Sequence, residues 1–116
     1  MKKQRNYLGK LGENEAVKYL EELGFKVLEK NFFNRYSEID IIAERDDILY
    51  FIEVKTRSSL GFGSGFDAID LRKIEKIKKG VEYYIQSKGV DKEVQLWAIS
   101  ILDSGGNKRL EFLKIN

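Results

Sequence analysis

The chain has 116 residues, of which 42% are hydrophobic and 34% charged, and these proportions suit one domain spanning residues 1–116. Cysteine and histidine are both absent, which excludes disulfides, thiolate nucleophiles, zinc–thiolate sites and imidazole chemistry. A net charge of +2 does not by itself indicate a nucleic-acid binder, so any basic surface has to be local. No segment approaches membrane-spanning length, and we expect a cytoplasmic protein without membrane contact.

The first half of the chain predicts one helix followed by three strands. Apolar residues recur at helical spacing over residues 6–23, and Gly24 stands where a left-handed residue commonly ends a helix. Residues 25–33 are rich in β-formers. The segments EIDIIAE (38–44) and ILYFIEVKT (48–56) predict two strands of a hairpin that turns at residues 45–47.

The second half predicts a loop, a helix and two strands. LGFGSGF (60–66) is typical of a flexible loop, and we expect a flap beside the site there. A helix is predicted over residues 68–88, followed by strands over 94–102 and 109–115. The order α-β-β-β-α-β-β predicts an α/β fold with a central mixed sheet flanked by helices.

Two neighbouring strands carry charges within otherwise apolar sequence. Glu53 and Lys55 share one face of their strand because side chains alternate, and the residues around them are typical of a strand covered on both faces. Glu38 and Asp40 share a face of the preceding strand in the same way. In the predicted hairpin Asp40 falls opposite residues 52–53, so carboxylates and a lysine should emerge together.

Such a cluster suits metal-assisted hydrolysis of a phosphodiester. Asp40 and Glu53 would hold a divalent cation, and carboxylates select hard cations such as Mg²⁺ or Mn²⁺. Lys55 would orient the attacking water or stabilise charge on the phosphoryl oxygens. The alternative interpretation is a structural ion pair of Lys55 with Glu53 or with Asp40, because ion-pair networks also occupy such positions. The residues alone leave both interpretations open.

Four segments between residues 8 and 88 form a recognisable pattern: GENEAVKYLEELGFKVLEKN, SEIDIIA, FIEVKTR and AIDLRK. Together they resemble the YraN-like bacterial proteins. That resemblance implies a relationship to archaeal Holliday-junction resolvases and a restriction-endonuclease-like core. Carried over by position, it implies Glu13, Asp40 and Glu53 as ligands of Mg²⁺ or Mn²⁺, and Lys55, Glu53 and Asp40 as the catalytic residues. Glu38 lies in the same motif without an assigned role.

Basic residues offer candidate contacts to nucleic acid. Arg57 follows the second charged strand directly, and Arg72, Lys73 and Lys76 lie on the second predicted helix. We expect these four to contact phosphates, while an ordinary solvated helix face is the simpler interpretation of the helix residues alone.

The sequence thus predicts a nucleic-acid-binding protein and, more specifically, a divalent-metal-dependent endonuclease acting on DNA, with branched or junction DNA as a candidate substrate. Two-fold substrates favour a homodimer, because each site cuts one strand. Two alternatives stay open. One is a non-catalytic nucleic-acid-binding module with the same fold, and the other is a protein-interaction domain whose charge cluster is purely structural.

Overall fold

The computed structural model describes residues 2–57, 71–104 and 106–116, which form two helices and five strands. The loop predicted at 60–66 and the predicted start of the second helix at 68 lie outside the described residues. The elements are α1 (Lys2–Glu22), β1 (Lys26–Phe33), β2 (Glu38–Arg45), β3 (Ile48–Arg57), α2 (Leu71–Lys88), β4 (Glu93–Ser104) and β5 (Asn107–Lys114).

The five strands form one sheet in the order β1-β2-β3-β4-β5. Strands β3 and β4 are parallel, whereas the other neighbouring pairs are antiparallel. A parallel pair needs a crossover, and α2 lies in the connection between β3 and β4. The predicted α/β fold with a mixed sheet and flanking helices is therefore confirmed.

Each helix covers one face of the sheet. Ala16 and Leu20 of α1 are fully buried against a cluster that includes Ile52. On the other face Ile74 and Ile77 of α2 pack into a cluster that includes Phe51. Because Phe51 and Ile52 are adjacent in β3 and point to opposite faces, this strand is buried on both sides, as its continuous apolar sequence predicts.

Glycine ends both helices as predicted. Gly24 has a φ of +88°, and the N–H groups of Gly24 and Phe25 donate to the carbonyls of Glu21 and Leu20, which is the Schellman pattern. Gly89 has a φ of +63° after α2. Helix α1 begins before the predicted residue 6, and β4 and β5 run on to their turn, where Ser104 pairs with Asn107. Backbone pairing extends both strands beyond their apolar segments.

The β2–β3 hairpin turns at Asp46 and Asp47, whose φ values are +53° and +64°. Two central residues with positive φ are the mark of a type I′ turn, which fits the natural twist of a hairpin. The ladder then runs from Arg45 paired with Ile48 to Ile41 paired with Ile52. The predicted hairpin and its register are confirmed.

Candidate metal centre

The centre forms where the β2–β3 ladder stops. Continuing the register beyond Ile41 and Ile52 would place Asp40 opposite Glu53, within the range predicted from the sequence. At this position the two strands are joined by a side-chain hydrogen bond, because the backbone N–H of Val54 donates to Oδ2 of Asp40 at 2.7 Å. This bond fixes the Asp40 carboxylate between the two strands.

Helix α1 supplies a second carboxylate through a close approach to β3. A Cβ built on Gly12 would lie 2.1 Å from Oγ1 of Thr56, so only glycine fits at this contact without a shift. This contact places the next residue, Glu13, beside the end of β2 that carries Glu38 and Asp40. One carboxylate oxygen from each of Glu13, Glu38 and Asp40 lies within 4.8 Å of the others. These three residues, called the acidic triad below, could hold a metal ion.

Burial and repulsion between carboxylates raise the pKa values of Asp40 and Glu38. Burial, followed by the hydrogen bond with Glu53 and the Glu53 charge, raises the pKa of Asp40 to about 9, although the Val54 N–H opposes this. Burial and then the charges of Glu13 and Glu53 raise the pKa of Glu38 as well. Carboxylates that are crowded and withdrawn from water gain most from a cation among them, so the donor set fits a hard divalent metal.

Glu53 adjoins the acidic triad and is paired with α2. Its Oε2 lies 2.7 Å from Nζ of Lys73, and its side chain is only 11% exposed, against 51% for Lys73. Burial lowers the pKa of Lys73, but the hydrogen bond to Glu53 and the charges of Glu53, Asp40 and Glu38 outweigh it and raise that pKa. The acidic triad together with Glu53 is called the acidic group below. Lys73, predicted from the sequence as a phosphate contact, thus lies within the electrostatic field of the acidic group.

Lys55 is half-buried and lies two residues beyond Glu53 on the same face of β3. It forms no ion pair or hydrogen bond with the residues that the structure describes. The interpretation of Lys55 as the structural partner of Glu53 or Asp40 therefore has no support in the described residues, where Lys73 takes the place beside Glu53. Among the described residues, the Lys55 ammonium is therefore unpaired at this end of the sheet.

The structure brings together Asp40 and Glu53, which strand alternation and the hairpin predict, and Glu13, which the family resemblance implies. It adds Glu38 and Lys73 to them. The alternation of Glu38 and Asp40 along β2 was the available signal for Glu38. No sequence signal connects Lys73 with Glu53, because the two are joined only by tertiary packing of α2.

The predicted phosphate contacts stay untested. Arg72 and Lys76 are exposed on α2, and the Arg57 side chain lies outside what the structure describes. Neither helix, within the described part of the chain, is long and apolar enough to cross a membrane.

Comparison with known proteins identifies the family. A family model described as "Uncharacterised protein family UPF0102" matches residues 12–110, which include the whole acidic group. A UPF0102 protein of Syntrophomonas wolfei is 40% identical over 107 residues, covering 91% of this chain and 93% of the relative. A Sulfurihydrogenibium relative is 48% identical over 82 residues, 71% of each chain. A Bacteroides thetaiotaomicron relative is 36% identical over 111 residues, covering 96% of this chain and 92% of its own. The chain belongs to the UPF0102 family, the YraN-like family that its motifs resemble.

Proposed function

We propose that this protein is a divalent-metal-dependent endonuclease that hydrolyses phosphodiester bonds in DNA. The observation that carries the proposal is the convergence of Glu13, Glu38 and Asp40 within 4.8 Å. Four crowded and partly buried carboxylates, counting Glu53, cost folding free energy unless positive charge lies among them. A lysine without a partner in the described chain, Lys55, lies beside them.

Each residue then has a chemical task. Glu13, Asp40 and Glu53 would hold Mg²⁺ or Mn²⁺, with Glu38 either a further ligand or a hydrogen-bond acceptor for water at the ion. A cation held there supplies charge stabilisation for the phosphoryl group and favours deprotonation of the attacking water. Lys55 orients that water or neutralises charge that builds up on the non-bridging phosphoryl oxygens. The Val54 N–H keeps the Asp40 carboxylate oriented without consuming both of its oxygens.

The relationship to archaeal Holliday-junction resolvases that the YraN-like motifs imply makes branched DNA the candidate substrate. A four-way junction is two-fold symmetric, and the described part of the chain carries one acidic group. Symmetric cutting would therefore require a homodimer, which light scattering on the purified protein would detect as twice the 13.5 kDa mass of the chain.

Cleavage assays test this function directly. Purified protein is incubated with linear, flap and four-way-junction DNA in Mg²⁺, Mn²⁺ or EDTA. We expect cutting that requires the metal and falls by at least about 100-fold in Asp40→Asn, Glu53→Gln and Lys55→Ala. Glu44→Gln, on the same strand as Asp40 but at its far end, is the matched control and should cut normally.

Two outcomes would overturn the proposal. Cutting that persists in EDTA, or full activity in the three site variants, would show that the acidic group does not take part in hydrolysis. Salt-dependent DNA binding without cutting in either metal would instead favour the non-catalytic nucleic-acid-binding module.

A further inference from the structure

Helix α2 carries an exposed strip in which three cations lead to an aromatic ring. Arg72, Lys76, Lys79 and Tyr83 are separated by four, three and four residues, so their side chains lie on one side of the helix. All four are exposed. These residues are called the α2 strip below, and its length from first to last is about 16 Å.

The strip begins beside the acidic group. Lys73 follows Arg72 in the first described turn of α2 and holds Glu53 at 2.7 Å. A phosphate at the acidic group would thus lie at one end of the strip, and the next phosphates of the same strand could continue along it. Lys76 and Lys79 form no ion pair or hydrogen bond with the described residues, so their ammonium groups are available to such a strand.

The far end of the strip fits an unstacked base. Tyr83 is 44% exposed, and its ring centroid lies 6.4 Å from that of Phe32, with the two rings tilted by 32°. An exposed aromatic ring that another ring contacts is a stacking platform for a base of any identity.

The β1–β2 turn adds positive charge along the same side of α2. A Cβ built on Gly80 would lie 2.8 Å from Nδ2 of Asn34 and 3.0 Å from Oγ of Ser37, so the turn packs directly on the helix. Gly80 follows Lys76 by four residues, which places the turn along the strip. Arg35 in this turn is exposed, with its guanidinium over the Tyr36 ring at 5.1 Å.

The surface of α2 that adjoins the strip is unsuited to a second phosphate strand. Glu75 and Glu82 are exposed seven residues apart, next to the Lys79 side of the strip, and the Glu75 carboxylate lies 3.9 Å from the Lys78 ammonium. Two carboxylates would repel the partner strand of a duplex lying across the helix, whereas one strand along the cationic side avoids them.

We propose that the α2 strip binds a single-stranded segment of nucleic acid that adjoins the cleaved bond, through phosphates at Lys76 and Lys79 and a base stacked on Tyr83. This inference rests on the proposed nuclease function for the position of the cut, but its binding step can be measured separately. It makes DNA with a single-stranded arm, such as a flap or an opened junction, the preferred substrate class.

The test measures binding in EDTA, where no metal-dependent cutting occurs. Fluorescence anisotropy follows a labelled single-stranded oligonucleotide and a blunt duplex at increasing salt. We expect Lys76→Gln/Lys79→Gln to weaken single-strand binding about tenfold and to lower the salt slope by about 1.4. Tyr83→Ala should weaken binding by about fivefold or more, and Tyr83→Phe, which keeps the ring, should bind normally.

A matched double variant removes the same charge elsewhere. Lys18 on α1 and Lys114 on β5 are also exposed, and Lys18→Gln/Lys114→Gln should bind single strands like the unaltered protein. If this control weakens binding as much as the strip variants, or if the strip variants weaken duplex binding equally, the inference is wrong.

Failure of the inference and failure of the nuclease proposal look different. If the protein cuts DNA in a metal-dependent way and the strip variants bind single strands normally, the nuclease proposal holds and the inference about the α2 strip is wrong. If single-strand binding depends on the α2 strip but no cutting occurs in Mg²⁺ or Mn²⁺, the strip is a binding surface and the nuclease proposal is wrong.

Discussion

The two ends of the β2–β3 hairpin carry similar numbers of charges in opposite circumstances. At the closed end, the Lys92 ammonium contacts Glu44 and lies 3.4 Å from Asp47, whose side chain is 86% exposed. At the open end, Asp40 and Glu53 are withdrawn from water and lie next to other carboxylates.

This difference separates a structural use of charge from a functional one. Exposed charges with opposite partners cost little and stabilise little, so the closed end needs no further explanation. Crowded carboxylates of one sign oppose folding, and a sequence that keeps them must gain something else from them. The open end is therefore the part of the hairpin that calls for a ligand, and the variants below test whether the two ends really differ.

The largest expected effect is on metal affinity. Asp40→Asn retains an oxygen to accept the Val54 N–H but loses its negative charge. We expect it to lower Mn²⁺ affinity, measured by isothermal titration calorimetry, by at least about 100-fold, since even outer-shell substitutions cost 10–100-fold. Glu44→Gln removes one charge from the closed end of the same strand and should bind Mn²⁺ unchanged. Equal affinities in both variants would abolish the distinction between the ends.

A second prediction concerns the contact that brings α1 to the open end. In most helix interiors Gly→Ala stabilises by about 1 kcal/mol. At Gly12 the added Cβ would meet Oγ1 of Thr56 at 2.1 Å, so we expect Gly12→Ala to lower the free energy of unfolding by about 1–3 kcal/mol. The displacement of Glu13 should weaken Mn²⁺ binding at the same time.

The matching rescue removes the atom that clashes. With Thr56→Ala the nearest remaining Thr56 atom, Cβ, is 3.4 Å from the built Cβ, an ordinary contact. The double variant should recover most of the stability lost in Gly12→Ala, as measured by urea unfolding. Gly12→Ala alone unfolding at the same urea concentration as the unaltered protein would show that α1 is not held by this contact.

Much of the open end could be predicted from the sequence because local rules determine it. Strand alternation puts Glu53 and Lys55 on one face, and the two-residue turn at Asp46 and Asp47 sets the register that brings Asp40 to Glu53. The hairpin turn and the two-residue alternation of strand side chains are thus enough to predict that Asp40 and Glu53 lie together. Glu13 came only from the resemblance, since nothing local ties a helix residue to a distant strand.

The contribution of Lys73 could not be predicted in the same way. Its position beside Glu53 depends on how α2 packs on the sheet, through buried residues such as Ile74 and Ile77. On the helix alone, Lys73 is one of several neighbouring cations and its spacing predicts only a charged face. Tertiary packing, rather than periodicity, distinguishes the cation paired with the acidic group from those of the exposed strip.

The last prediction concerns the pH dependence of stability, whose change should differ in sign between the ends. Burial and Glu53 raise the pKa of Asp40 from 3.8 to about 9 in the folded protein. A raised pKa means that the folded state binds the proton more tightly than the unfolded state does. The Asp40 contribution to stability is therefore fully present below pH 3.8 and is lost as the pH rises towards about 9.

In EDTA, Asp40→Asn should thus be more stable than the unaltered protein at neutral pH, by about 1 kcal/mol or more, with the gain increasing between roughly pH 6 and pH 8. Glu44→Gln loses its contact with Lys92 and should be less stable by about 0–1 kcal/mol, with the loss shrinking as salt is added. Urea unfolding at several pH values measures both. A destabilised Asp40→Asn would mean that its carboxylate is held by favourable contacts, and the acidic group would then be structural, like the closed end.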